Sequence, residues 1–145
     1  MSAHLLNAGE GGGGDLGAKE NADLVRRGYA AFSAGDMATL TEVFAEDAVW
    51  HVPGDGGLAG DKRGRDACFA YFGELFSRSG GTVRVDLHDV VGGEEHTIGL
   101  HHGHAERNGR VLDDEIVLVF HLRNGRVGEV WEIFQDAAAS NDFWS

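Results

Sequence analysis

The chain has one cysteine, Cys68, and no long apolar run. A single cysteine cannot close a disulfide within the chain. Without about 18 consecutive uncharged apolar residues, the sequence predicts no membrane-spanning helix. The first residues also lack the basic and apolar stretches of a secretory signal. These absences together favour a cytoplasmic protein.

Basic residues are also scarce. The 145 residues include 12 Lys and Arg against 24 Asp and Glu, which gives a formal net charge of −12. Such a charge repels phosphate backbones and anionic membrane surfaces, so neither a nucleic acid nor a membrane is an expected partner. A chain of this length is expected to form one domain, and its 42% hydrophobic residues are enough to build a core.

Glycine is concentrated at the N-terminus. The run from Gly11 to Gly14, with further glycines on either side, leaves few side chains to pack in this segment. A phosphate-binding loop is disfavoured, because no Lys-Ser/Thr pair follows the glycines and no strand precedes them. We therefore predict a flexible arm over residues 1–18 and one domain over residues 19–145.

The first half of the domain has helical periodicity. Apolar residues spaced along one helical face predict a helix over residues 19–34, which Gly35 ends. Asp36 is expected to cap a second, short helix. A short strand over residues 48–52 follows, and a glycine-rich loop over residues 54–64 comes after it.

A third helix and a series of strands complete the predicted elements. The apolar stripe of the third helix contains Cys68, Phe69, Phe72, Leu75 and Phe76. Gly80 and Gly81 end this helix, and an alternating strand follows Thr82. Asn-Gly pairs at 108–109 and 124–125 are typical of tight hairpin turns. The three strands that they join are predicted over residues 96–107, 110–123 and 126–136.

The middle of these three strands is apolar on both faces. Residues 116–120 read Ile-Val-Leu-Val-Phe, whereas a strand with one face in water alternates with polar residues. The helices can cover only one face of the sheet. We therefore expect the outer face to pack on a second copy, as a homodimer stabilised by about 25 cal/mol per Å² of buried apolar area.

Four segments and the order of the elements carry a family resemblance. The segments are Tyr29-Ala-Ala-Phe-Ser-Ala-Gly-Asp36, Phe44-Ala-Glu-Asp-Ala-Val-Trp-His51, Gly60-Asp-Lys-Arg-Gly64 and Gly125-Arg-Val-Gly-Glu-Val-Trp131. Over residues 19–145 the chain resembles the SnoaL-like and ketosteroid-isomerase-like branch of the NTF2-like superfamily. The resemblance implies an α+β fold, in which a curved antiparallel sheet packs on three helices around a cone-shaped cavity. Isomerases, polyketide cyclases, hydrolases, dehydratases and non-enzymatic binders share this scaffold, so the resemblance implies the fold more than the function.

Ketosteroid isomerases bind an oxyanion with a helix-one tyrosine and a protonated aspartic acid, and use a second aspartate as the base. By resemblance, Tyr29 matches the tyrosine, although it can alternatively serve the core alone. The base position falls on Val52 and the aspartic acid position falls on Val119. Steroid-type isomerisation by that mechanism is therefore disfavoured.

An acidic residue of the last strand is the best general-base candidate. If Val119 faces the cavity as the resemblance implies, a two-residue turn at 124–125 places Glu132 on the same face. A carboxylate in apolar surroundings has a raised pKa, which suits it to accept a proton near neutral pH. Alternatively, Glu132 pairs with an arginine at a wetter point, and by resemblance to SnoaL-type cyclases Asp136 can fill the acidic position instead. The residues predicted to contact a ligand are Trp50, Val52, Phe72, Val117, Val119, His121, Val130, Phe134 and Asp136.

Three histidines lie close together in one predicted strand. Only His102 and His104 share a face, and two ligands do not make a zinc site, so we expect neither a metal nor a cofactor. One histidine should face the cavity. The resemblance favours His101, whereas a hairpin without a bulge pairs Val117 with Leu100 and turns His102 inward. A bulge would reconcile the two, and we take His101.

The last residues include Phe143 and Trp144, two aromatic side chains that are costly to leave in water. We expect them to dock at the cavity mouth as a lid, with the dimer seam as the alternative.

The expected function is that of a small-molecule-binding SnoaL-like protein. As an enzyme, it would be an isomerase, cyclase or dehydratase that transfers a proton at carbon on a hydrophobic carbonyl ligand without a cofactor. The candidate catalytic residues are Glu132, His101 and Tyr29. The alternative is a non-catalytic module that binds a ligand or a partner, which the two missing isomerase aspartates support.

Overall fold

A computed structural model describes residues 17–145 of the chain, so residues 1–16 of the predicted arm lie outside the described residues. The elements in chain order are α1 Ala18–Ala34, α2 Met37–Val43, β1 Phe44–Val52, β2 Gly60–Arg63, α3 Arg65–Arg78, β3 Arg84–Val91, β4 His96–Arg107, β5 Arg110–Arg123, β6 Arg126–Phe134 and α4 Ala137–Trp144. No helix within residues 17–145 is long and apolar enough to cross a membrane.

The six strands form one curved sheet in the order β2-β1-β6-β5-β4-β3. Neighbouring strands pair antiparallel except β1 and β6, which run parallel. The predicted α+β fold is confirmed. Three details differ from the prediction. The sheet is mixed rather than antiparallel, because β1 and β6 run parallel. Residues 60–63, expected to be loop, pair with β1 as a strand, and the residues after β6 form a fourth helix.

Two helix boundaries follow the capping signals. Gly35 ends α1 in the left-handed conformation, with φ 67°, which a glycine adopts without a steric cost. Asp36 caps α2, because its side chain accepts a hydrogen bond from the Thr39 N–H at 3.1 Å. Both agree with the sequence prediction, since both signals act within a few residues.

The two Asn-Gly turns also form, but only one hairpin is regular. Asn108 and Asn124 have φ angles of 53° and 52°, which this type of turn requires. The β4–β5 hairpin keeps one register throughout and places His101 opposite Ile116. The β5–β6 hairpin shifts its register by one residue close to the turn, where Gly128 is the extra residue on β6.

The bulge at Gly128 decides which side chains of β5 face the helices. A side chain at this position would collide with Arg123, whose guanidinium lies over the glycine. Side chains alternate between the two faces of a strand. One extra residue on β6 therefore changes which side chains of β5 share a face with a given side chain of β6. As a result, Phe120 rather than Val119 lies opposite Val130.

The inner face of β5 is therefore the opposite of the predicted one. Leu118 and Phe120 are buried against the helices. Val117, Val119 and His121 are half-buried on the outer face. The prediction that these three residues face the cavity is wrong, because it took the inward position of Val119 from the family resemblance, and the side chains that face the helices are those of Leu118 and Phe120.

The C-terminal helix α4 packs on β5 and β6. Phe143 and Trp144 are 3% and 8% exposed, so both are buried within the chain itself. Their carbonyl oxygens accept hydrogen bonds from Arg107 at 2.8 Å and from Arg78 at 3.0 Å. Neither aromatic side chain lines the cavity between the sheet and the first three helices, so the prediction that they close its mouth is corrected.

Candidate functional site

A mostly apolar cavity lies between the inner face of the sheet and the first three helices. The cavity has a volume of about 80 Å³, well above the roughly 10–15 Å³ that one water molecule needs. Aromatic side chains make up much of its wall, namely Tyr29, Phe32, Phe44, Trp50, Tyr71, Phe72 and Phe120. The remaining polar side chains of the wall are His101 and Glu132.

Glu132 supplies the carboxyl group of the cavity. It lies on β6 opposite Leu118 and is 9% exposed. The Trp50 indole N–H donates to Glu132 Oε1 at 2.9 Å, and the Tyr71 hydroxyl donates to the same oxygen at 2.8 Å. Within residues 17–145 no hydrogen bond reaches Oε2. This second oxygen therefore has capacity to accept a further hydrogen bond.

The surroundings of Glu132 raise its pKa. Burial is the largest cause, and the hydrogen bonds from Trp50 and Tyr71 work in the opposite direction by stabilising the charged form. A carboxylate with a raised pKa binds a proton more tightly than an exposed one. Glu132 is thus suited to remove a proton from a weakly acidic group.

Tyr29 and His101 form a second polar pair in the cavity wall. The Tyr29 hydroxyl lies 2.8 Å from His101 Nδ1, and the two rings meet edge to face with centroids 5.4 Å apart. Gly99, on the same face of β4, leaves room for the tyrosine. A Cβ atom at Gly99 would lie 2.5 Å from the Tyr29 hydroxyl oxygen.

Both members of this pair are neutral at neutral pH. Burial lowers the pKa of His101 to about 4, so its imidazole carries no charge. Burial, and then the nearby charge of Glu132, raise the pKa of Tyr29, so the phenol keeps its proton. The cavity therefore combines one acidic side chain with an uncharged hydrogen-bonding pair.

The other predicted contact residues are distributed unevenly. Trp50 and Phe72 line the cavity, as Glu132, His101 and Tyr29 do. Val52 and Val130 are buried, and Phe134 is partly buried, but none of the three lines the cavity. Asp136 is exposed and caps α4 by accepting the Ala139 N–H at 3.0 Å, so its predicted place in the site is corrected.

Sequence reasoning missed Tyr71. Its hydroxyl is one of the two donors that hold Glu132. The signal was present, because Tyr71 follows Cys68 by three residues and so lies on the apolar stripe of α3. A polar atom on such a stripe needs a buried partner, and the buried acid of β6 is that partner.

The histidines outside the cavity have other surroundings. His102 Nε2 and His104 Nδ1 lie 2.9 Å and 2.8 Å from Asp113 Oδ1, on the outer face of the sheet. The His121 ring packs 5.3 Å from that of His96 on the same face. In the part of the chain that the structure describes, no group of three or more His, Cys, Asp and Glu side chains is arranged to hold a metal ion.

Comparison with known protein families agrees with this architecture. The family model of the SnoaL-like domain matches residues 25–130. The chain belongs to the SnoaL-like family. The match includes α2, α3 and the first five strands, together with most of α1 and β6.

This SnoaL-like protein is similar to other proteins over most of its length. A protein of Mycobacterium tuberculosis described as uncharacterized is 39% identical over 124 residues, which are 85% of this chain and 95% of that protein. Bal32a, from a soil-derived mobile gene cassette, is similar in structure with a TM-score of 0.86 and 47% identity, covering 88% of this chain and 98% of its own. TerC, co-crystallized with polyporic acid, has a TM-score of 0.75 at 19% identity, and the match covers 86% of this chain and 98% of TerC. At that identity TerC shows the shared fold alone.

Proposed function

We propose that this SnoaL-like protein binds a small, largely apolar organic molecule in its inner cavity and transfers a proton at carbon beside the ligand's carbonyl group. One observation carries the proposal. The buried carboxyl of Glu132 keeps one oxygen without a partner among residues 17–145, in a cavity that also contains the neutral Tyr29–His101 pair. A base and an uncharged hydrogen-bond donor in one apolar space suit the formation of an enolate.

The reaction needs no cofactor. Ionised Glu132 takes a proton from the carbon next to the carbonyl through Oε2. The electron pair of the broken C–H bond forms a carbon–carbon double bond and moves negative charge onto the carbonyl oxygen, which accepts a hydrogen bond from the Tyr29–His101 pair. In a ligand with a carbon–carbon double bond beyond the deprotonated carbon, the negative charge extends to the far end of that bond. The far carbon then takes the proton back from protonated Glu132, and the carbonyl double bond forms again. The product is an isomer of the substrate, and the enzyme ends in its starting state.

The lining of the cavity limits the ligand. Its aromatic wall favours a planar, weakly polar molecule, because aromatic rings pack well against flat apolar surfaces. TerC, which has the same fold, was crystallized with polyporic acid. The identity to TerC is too low to transfer its ligand, so the support for a carbonyl ligand comes from Glu132, Tyr29 and His101.

Proton exchange distinguishes an enzyme from a binding module. Incubated in D₂O with 2-tetralone, an apolar ketone with exchangeable protons next to its carbonyl, the protein should accelerate replacement of those protons, which NMR follows. Glu132→Gln should abolish the acceleration and still bind the ketone in a thermal-shift assay. Glu129→Gln, on the opposite face of β6, should retain it.

Two results would count against the proposal. If the ketone binds and its protons exchange at the rate of buffer alone, the protein is a binding module and not an enzyme for this class. If exchange is accelerated but is the same in Glu132→Gln, another group is the base.

We also propose that the outer face of the sheet joins two copies of the chain. Val117 and Val119 are half-buried on this face, and Ile133 beside them is 50% exposed. Trp131 lies between His51 and His96, with ring centroids 5.6 Å and 6.0 Å away. An apolar and aromatic surface of this kind is stabilised by packing on an identical surface related by a twofold axis.

A further inference from the structure

The hydroxyl of Tyr29 lies against the backbone of β4. A Cβ atom at Gly99 would be 2.5 Å from this oxygen, and 2.8 Å and 3.0 Å from the ring atoms Cε2 and Cζ. The tyrosine ring therefore rests directly on the glycine, which closes one side of the hydroxyl. The partner of the hydroxyl is His101 Nδ1, at 2.8 Å.

Two arrangements of protons fit this distance. In the first, the Tyr29 hydroxyl donates to Nδ1, and the imidazole carries its single proton on Nε2. In the second, Nδ1–H donates to the hydroxyl oxygen, and the phenol proton must find another acceptor. Both assume the neutral ring that the burial of His101 produces.

The hydrogen-bond partners of Tyr29 and His101 distinguish the two arrangements. Within residues 17–145, the Tyr29 hydroxyl has no partner other than His101, and Nε2 has none. The second arrangement would leave both the phenol proton and the Nε2 lone pair unsatisfied. The first leaves only one N–H group, on a ring that lines the cavity. Since a buried polar group without a partner is costly, the first arrangement is favoured.

We infer that Tyr29 is a positioning residue, whose hydroxyl donates to His101 Nδ1 and holds the imidazole in the tautomer that offers Nε2–H to a ligand. This inference rests on the proposed function only in naming a ligand. His101, and not Tyr29, then donates to the ligand's carbonyl oxygen. Tyr29 thus has a different role from the direct donor that the ketosteroid-isomerase resemblance implies.

The consequence is a specific preference for ligands. The cavity offers one N–H donor from His101 and one carboxyl oxygen from Glu132, and neither histidine nor tyrosine adds a charge. An uncharged ligand with one carbonyl oxygen satisfies the N–H group. A carboxylate ligand would bring a second negative charge beside Glu132 and is disfavoured once that group is ionised.

NMR of the ring nitrogens tests the tautomer directly. The protein is labelled with ¹⁵N-histidine and the His101 ring signals are assigned by their loss in His101→Gln. At neutral pH, Nε2 should resonate as a protonated nitrogen and Nδ1 as an unprotonated one. In Tyr29→Phe the two nitrogens should move towards the averaged positions of a ring without a fixed tautomer. Tyr71→Phe is the control, because Tyr71 bonds to Glu132 and not to His101.

A second variant covers the case in which Tyr29→Phe does not fold. Gly99→Ala keeps the tyrosine but places a methyl group 2.5 Å from its hydroxyl oxygen. This clash moves the hydroxyl away from His101, so the tautomer preference should weaken in the same way. A protonated Nδ1 in the wild-type protein would overturn the inference, and so would unchanged ring signals in both variants. The measurement does not involve turnover. Failure of proton exchange with 2-tetralone would therefore remove the proposed function and leave the tautomer result standing.

Discussion

The Tyr71 hydroxyl lies 2.8 Å from Glu132 Oε1, although the two residues are 61 positions apart in the sequence. This bond joins α3 to β6 across the inner wall of the cavity. Trp50, on β1, donates to the same oxygen. Three elements thus converge on one carboxyl group, and both donors use Oε1, so that Oε2 has no hydrogen-bond partner within residues 17–145.

Removal of one of these two hydrogen-bond donors should change the stability of the protein and the pKa of Glu132. Tyr71→Phe keeps the aromatic ring but takes a hydrogen bond from a buried acidic group, so we expect the free energy of unfolding to fall by about 1–3 kcal/mol. The pKa of Glu132 should rise further, since the Tyr71 hydrogen bond lowers it. Urea denaturation measures the first effect, and the pH dependence of 2-tetralone binding measures the second. Unchanged stability would show that the bond contributes nothing in solution.

The raised pKa of Glu132 predicts that this side chain lowers the stability of the folded protein more at high pH than at low pH. The folded protein binds this proton more tightly than the unfolded chain, so the carboxyl reduces stability as the pH rises above the ordinary glutamate value of 4.5. Glu132→Gln still accepts hydrogen bonds from Trp50 and Tyr71 but cannot ionise. The stability of the variant relative to wild type should therefore increase with pH.

Urea denaturation at several pH values checks this trend. Glu46→Gln, at an exposed position of β1, is the matched control for loss of a charge. A variant that loses stability relative to wild type as the pH rises would show that the Glu132 carboxylate is stabilised by the fold.

His101 should affect the pH dependence of stability in the opposite direction from Glu132. Its pKa is about 4 in the folded protein against 6.5 in an unfolded chain, so the unfolded state takes up the proton first as the pH falls. The contribution of neutral His101 to the free energy of unfolding is fully present above about pH 6.5. It is lost progressively as the pH falls towards 4, by about 3–4 kcal/mol at most. Thermal unfolding of His101→Gln over the same range should lack this loss. Equal pH profiles for the variant and wild type would contradict a buried neutral imidazole.

The outer face of the sheet predicts the oligomeric state. We expect a dimer by light scattering and sedimentation, and Ile133→Lys should raise its dissociation constant at least about tenfold, because burying an unpaired charge costs more than about 1.4 kcal/mol. Met37→Lys, on α2 and exposed to a similar degree, should leave the dimer intact. A wild-type protein that is monomeric at all concentrations would rule out this interface.

The position of Glu132 was predicted through two errors that cancelled. The prediction placed Val119 on the inner face and assumed a β5–β6 hairpin without a bulge. Val119 faces outward, and Gly128 forms a bulge. Each error reverses the facing of a strand, so together they leave Glu132 on the inner side, where it is buried.

The histidine choice shows the same dependence on register. The regular β4–β5 hairpin pairs Leu100 with Val117 as expected, but both face outward. His101 is therefore the inward residue, 5% exposed, and His102 is not. The β4–β5 hairpin needs no bulge to place His101 inside, because Ile116, its partner on β5, lies on the same inner face as Leu118. The bulge lies instead in the β5–β6 hairpin.

The sequence by itself determined the helix ends and the two tight turns, because capping side chains, left-handed glycines and Asn-Gly pairs act within a few residues of chain. It also determined the SnoaL-like family, through four segments and the order of the elements. The tertiary structure alone decided which face of β5 is inside and which donors reach Glu132 and His101. Successive side chains of a strand point to opposite faces of the sheet, so the single extra residue at Gly128 changes which side chains of β5 lie on the same face as Glu132. The hydrogen bonds of the site join residues 61 to 82 positions apart, and such contacts exist only once the sheet and helices have packed.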